Sequence, residues 1–256
     1  MKTLLYRLVI DYGDAGISIW LIPSEPESAL LQQLMSRHPK PNAPHSFPHF
    51  HPHVTLATIH LAPPPPPKPD EPAEPAAAAA ASTIKFSSHS HGDRDPGPDP
   101  TMLLAIREAI PLGQSALRLR FARVLTGSTY YLSIYTAIAP STELAQLRAA
   151  LVHAAVGDLK GPGPASPAFP HLSLFYVADE EAHARVRLLQ ELERERVVRH
   201  SEDGLSVALW CAEPDGDGGG GVLEGITGTQ IWIVDCEGPV EGWKVLDKIL
   251  LATSDR

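Results

Sequence analysis

The sequence predicts an α+β fold in which antiparallel sheets carry outer helices. Three observations predict it. Strand and helix patterns run in the order strand, helix, strand, insertion, strand, helix, hairpin, helix, strand, helix, strand, strand, with connections that mostly permit antiparallel pairing. The phrase "FHPHVTLATIHL" (50–61) is echoed by "FPHLSLFYV" (169–177). Each copy follows a helical segment, so the chain reads as two related halves.

The elements follow in order. "ISIWLIPSE" (17–25) alternates and stops at Pro23 and Ser24: a strand, then a helix cap. In "EPESALLQQLMSRHP" the residues Leu30, Leu31, Leu34 and Met35 fall at helical spacing. "PNAPHSFPHFHP" is a loop that leads into the strand "HVTLATIHL". The Pro run and Ala run of residues 62–82 cannot build a core, and read as a flexible insertion. "TIKFSSH" (83–89) is a short strand, and "TMLLAIREAI" (101–110) a helix opened by Thr101. "ALRLRFARVL" and "STYYLSIYTAIA" alternate on either side of "TGS", which predicts a hairpin containing Tyr130 and Tyr131, with core packing of their rings the expectation and one ring facing the cleft the alternative. A helix capped by Ser141 or Thr142 precedes the strand "PHLSLFYV". A charged amphipathic helix, "DEEAHARVRLLQELERE", comes next. The strands "LSVALWCAE" and "TQIWIVDCEG" then flank a Gly-rich flexible loop at 214–221. The whole, residues 1–256, is expected to be one domain.

Composition excludes some functions. The formal charge of −9 argues against a general affinity for long nucleic acid. No apolar run reaches the roughly 20 residues that span a bilayer. "MKTLLYRLVI" is interrupted by Arg7 and lacks a small-residue cleavage site, so it is read as an extension and not a signal peptide. Cys211 and Cys236 lie in apolar segments without zinc-type spacing, as expected for reduced thiols inside a cell.

The repeated phrase carries the chemistry. Residues two apart on a strand share a face. His53 and Thr55 therefore share one face, as do His171 and Ser173, with aliphatic residues opposite. If the two strands are neighbours, a neutral imidazole can take a proton from water while a protonated one gives a proton to a leaving alkoxide. The hydroxyls of Thr55 and Ser173 can bind the non-bridging oxygens of a phosphate as charge builds there. That chemistry needs no metal and no other cofactor. Which imidazole is the base is open at this point.

The pair His-Val-Thr-Leu (53–56) and His-Leu-Ser-Leu (171–174) resembles the two motifs of the two-histidine phosphoesterase superfamily. "SIWLIPSE" and its following helix resemble the fungal and plant cyclic phosphodiesterase branch. The resemblance covers roughly residues 17 to 246, but not the Pro/Ala-rich insertion or the Gly-rich loop. It implies a two-lobed fold of antiparallel sheets, with both motifs lining a central cleft. It implies hydrolysis of ADP-ribose 1″,2″-cyclic phosphate, a by-product of tRNA splicing, to ADP-ribose 1″-phosphate. It also implies opening of nucleoside 2′,3′-cyclic phosphates to 2′-phosphates. It places Tyr176 three residues after the second hydroxyl, where it reaches the cleft only if the strand ends or bulges. Trp20 matches the first-strand Trp of the branch, as a base-stacking or pocket residue. A cytoplasmic monomer acting on a small cyclic phosphate is expected, and the resemblance also admits the Golgi.

Competing readings are weaker. An enzyme acting on 2′–5′ linkages at RNA ends conflicts with the acidic charge. A non-catalytic role would rest on the polyproline segment as a ligand for a partner domain. His49, His51 and His53 alternate, but Pro48 and Pro52 break the strand and no carboxylate completes a metal set. Gly216, Gly218 and Gly221 spell a dinucleotide fingerprint that no helix follows.

Overall fold

β1 (Ile17–Pro23) is buried along its whole length, because it pairs antiparallel with β2 (Val54–Ile59) on one edge and β9 (Gly225–Asp235) on the other. Its odd residues Ile17, Ile19 and Leu21 join the main core. Its even residues Trp20 and Ile22 join a second cluster with Trp232, Val234 and Cys236. The computed structural model describes residues 16–37, 43, 45–59, 100–156, 169–211 and 221–252. Residues 1–15, the Pro/Ala-rich segment 62–82, the strand expected at 83–89 and most of the Gly-rich loop 214–221 lie outside the described residues.

α1 (Glu25–Met35) starts where the Glu27 carboxylate accepts from Ser24 N (3.1 Å) and Ser24 Oγ (2.7 Å). The same carboxylate accepts from Thr227 N at 2.8 Å and Thr227 Oγ1 at 3.1 Å, which ties the helix start to β9. α2 (Pro100–Ala109) and α3 (Thr142–Val156) pack on each other. Ser141, not Thr142, caps α3, with Oγ accepting from Leu144 N at 3.2 Å. β3 (Leu117–Thr126) and β4 (Ile134–Ile138) form the expected hairpin. β5 (His171–Phe175) is followed by α4 (Ala182–Arg194) and a small sheet of β6 (Val198–His200), β7 (Val207–Trp210) and β8 (Val222–Leu223). β10 (Lys244–Leu250) completes the large sheet.

The large sheet runs β1-β2-β5-β4-β3-β9-β10, and the extra β1–β9 pairing closes six of its strands into a barrel-like ring. Every pairing in it is antiparallel, as the α+β reading requires. β1, β2, β9 and β10 form one half, and β3, β4 and β5 the other. The halves meet where β2 pairs with β5 through Val54 and Leu172, and where β3 pairs with β9. Glycine is required at the second seam: a Cβ on Gly225 would stand 1.9 Å from the Leu119 carbonyl oxygen.

Three strands went unread in the sequence. β6 and β8 are too short to show a period. β10 is an edge strand whose side chains are mostly exposed, so no alternation marks it. The expectation for Tyr130 and Tyr131 needs correction as well. They lie in a 3-10 turn, Tyr130–Leu132, between the hairpin strands, and both are half-buried rather than core. Among the described residues no helix is long and apolar enough to cross a membrane.

Candidate active site

β2 and β5 are neighbours, so the two copies of the repeated phrase lie side by side. With Val54 opposite Leu172, one antiparallel step either way sets His53 beside Ser173 and Thr55 beside His171. All four share one face of the sheet. A bulge opposite Ile19 and Trp20 keeps Thr55 and Thr58 on a common face although they are three residues apart. Thr58 bonds Ser18 there at 2.9 Å, while Thr55 faces Trp20.

His53 is held from three sides. Its Nδ1 lies 2.7 Å from the His51 carbonyl oxygen, and its ring stacks on Trp20 at 3.7 Å between centroids and 9° between planes. Phe50 meets the ring edge-on at 6.1 Å. A carbonyl only accepts, so Nδ1 carries the proton of the neutral ring and Nε2 carries the lone pair. Burial first, opposed by the bond to the His51 carbonyl and aided by the charges of His171 and His51, brings the His53 pKa down to about 3. The ring is therefore neutral at pH 7. The mutual effect also places the second imidazole near the first.

His171 is 5 % exposed, and the Tyr135 ring stands 5.2 Å from its own ring at 70°. Ser173 Oγ donates to the Tyr131 carbonyl oxygen at 3.1 Å and is hydrogen-bonded to the Tyr176 phenol. β5 ends at Phe175, and this lets Tyr176 leave the strand's alternation and turn back toward Ser173. The Tyr176 ring stacks on Phe50 at 4.1 Å and 11°. Burial pushes its phenol far above the ordinary tyrosine range, so it stays a proton donor. Tyr131 and Trp243 lie against it at 5.3 and 6.4 Å. Trp243 also meets Trp20 edge-on at 5.6 Å.

The structure thus gathers His53, Thr55, His171, Ser173, Tyr176 and Trp20 in one place. Trp20 lies under the His53 ring, where it sets the ring plane instead of offering a free stacking face. Tyr135 and Trp243 were not read as site residues, and Tyr131 entered only through the alternative in which one ring of the Tyr pair faces the cleft. Their segments show ordinary strand and turn patterns, and only the strand order brings them to the histidines. His51, weighed as a metal ligand in the sequence, packs on Trp232 at 4.5 Å. Among the described residues no three His, Cys, Asp or Glu side chains converge as a metal set. The thiols of Cys211 and Cys236 are free and buried, and burial pushes both up to about 12, where they are poor nucleophiles.

A family of proteins described as cyclic phosphodiesterase-like matches residues 15–251. The chain belongs to this family, and with it to the two-histidine phosphoesterases. Cyclic phosphodiesterase activity is the general function that this cyclic phosphodiesterase-like membership supports. No protein of curated function matches the chain.

The burial of His53 has a consequence for stability. Below pH 6.5 the unfolded chain takes up a proton on this ring that the folded chain refuses until about pH 3. Its contribution is complete above pH 6.5 and is lost as the pH falls through that window. The loss is about 2 kcal/mol by pH 5, at about 1.4 kcal/mol per unit. Urea unfolding at pH 7 and pH 5 is expected to show this drop in the wild type. In His53→Asn, which keeps an N–H for the His51 carbonyl but cannot titrate, the drop is smaller by that amount. Equal drops in the two proteins would contradict the burial argument.

Proposed function

We propose that this protein is a metal-independent cyclic phosphodiesterase that opens small cyclic phosphates, with His53 as general base and His171 as general acid. The observation that carries the reading is the neutral His53 ring, anchored through Nδ1–H with its Nε2 lone pair available, beside a second imidazole. A water in line with the scissile P–O bond loses a proton to Nε2 of His53 as its oxygen joins phosphorus. The bond to one ribose oxygen breaks, and His171 donates the proton that this oxygen takes up. Thr55 and Ser173 hold the equatorial oxygens as their charge grows, and Tyr176 supports Ser173 through its hydroxyl.

For nucleoside 2′,3′-cyclic phosphates the P–O3′ bond breaks and the 2′-phosphate remains. For ADP-ribose 1″,2″-cyclic phosphate the P–O2″ bond breaks and ADP-ribose 1″-phosphate remains. The second substrate would tie the protein to by-products of tRNA splicing. Phosphorus NMR of adenosine 2′,3′-cyclic phosphate and ADP-ribose 1″,2″-cyclic phosphate, each incubated with the protein in excess EDTA, tests this. The expected products are the 2′-phosphate and the 1″-phosphate. No turnover in EDTA, restored by a divalent metal, would overturn the metal-independent reading.

A further inference from the structure

A row of side chains crosses the site face and ends at a lysine. Thr55 on β2 lies opposite Trp20 on β1, Trp20 opposite Trp232 on β9, and Trp232 opposite Lys248 on β10. Directly opposed residues of antiparallel strands share a face, so all four point to the side that holds His53. The contacts agree: Trp20 stacks on His53, and Lys248 Nζ sits 4.0 Å above the Trp232 ring. Trp232 is fixed by its own Nε1, which donates to Gln230 Oε1 at 2.8 Å. His51 leans on the same indole from the loop that carries His53.

Lys248 is exposed, and among the described residues its ammonium meets no carboxylate. Burial holds the His51 ring below the usual imidazole range, and the Lys248 charge adds to that in the same direction. Strands lie about 4.8 Å apart, so an ammonium above Trp232 stands about 10 Å from Thr55 along the row. That gap is crossed by a ribose and its exocyclic carbon, with the flexible lysine stem supplying the remainder. The general mechanism uses neither Lys248 nor the His51 side chain; it uses only the His51 carbonyl.

We propose that Lys248, with Trp232 and His51, forms an anion subsite for a second, non-scissile phosphate. The site then selects cyclic phosphates that carry a further phosphate group over mononucleoside cyclic phosphates. This inference rests on the reading of the histidine pair as the place where the cyclic phosphate is opened. Lys248 acts as a point charge on an aromatic platform, which holds the ammonium over the Trp232 ring and limits its freedom.

The test compares kcat/KM for ADP-ribose 1″,2″-cyclic phosphate with that for adenosine 2′,3′-cyclic phosphate, in wild type, Lys248→Gln and Lys248→Arg. Lys248→Gln is expected to lower the ratio of the two values at least about tenfold, as befits a lost charged contact, and to do so through KM. Lys248→Arg restores most of it. An unchanged ratio, including an equal fall for both substrates, would overturn the subsite. Calorimetric titration with ADP-ribose, which lacks the cyclic phosphate, separates the two readings. Wild type that opens neither cyclic phosphate, yet binds ADP-ribose at least about tenfold more tightly than Lys248→Gln, would keep the subsite and discard the chemistry. Wild type that opens both with Lys248→Gln indifferent would discard the subsite alone.

Discussion

His53→Asn is expected to lower kcat for cyclic phosphate opening by about 10²–10⁴, the usual worth of a positioned proton acceptor. Asn keeps an N–H near the place of Nδ1, so the bond to the His51 carbonyl survives, while the basic Nε2 is lost. The Trp20 face that now carries the imidazole remains covered by an amide of similar thickness. His171→Asn is expected to cost a similar factor by removing the proton for the leaving oxygen. The double variant should lose far less than the product of the two factors, because acid and base serve one transition state. Activity is read as initial rate at saturating substrate, and folding as near-ultraviolet circular dichroism. A folded variant that turns over at near wild-type rate would remove that histidine from the mechanism.

Ser173→Ala is expected to lower kcat by about 10²-fold with little change in KM, since its hydroxyl acts on charge that appears only in the transition state. The variant also strands two partners. The Tyr131 carbonyl loses its donor, and the Tyr176 phenol loses its hydrogen bond. A stability loss of about 1 kcal/mol should accompany the kinetic effect. Thr55→Val serves as the companion variant. Thr55 is half-buried and Val has its shape, so a fall in kcat there reports the hydroxyl and not packing. A raised KM with unchanged kcat in both variants would mean that the hydroxyls bind ground state and transition state alike.

The motif residues were legible because each block states its own geometry. A His and a hydroxyl two apart, with aliphatics between, can face only one way on a strand. That also made the β2 and β5 strands readable, along with α1 and its Ser24 cap. Tyr176 needed a tertiary fact, the end of β5 at Phe175, which no local pattern marks. Trp232 and Lys248 were hidden for a different reason. Their place beside the site comes from β9 pairing with β1 and β10 at once, a long-range closure, and β10 is an exposed edge without alternation. Tyr130 and Tyr131 show the limit of pattern reading within a hairpin. Aromatic residues next to an alternating run look like core, yet these two lie in a turn against the site.

The measurement that tests the central claim most directly is the pH dependence of kcat/KM in EDTA, for wild type, His53→Asn and His171→Asn on one cyclic phosphate. Two cooperating imidazoles predict a bell-shaped wild-type profile. Its acid limb lies well below pH 6.5, because burial holds His53 neutral. The residual activity of His53→Asn should lack the acid limb, and that of His171→Asn the alkaline limb. A flat wild-type profile, or variants whose profiles keep the wild-type shape, would contradict an acid–base pair built from these two residues.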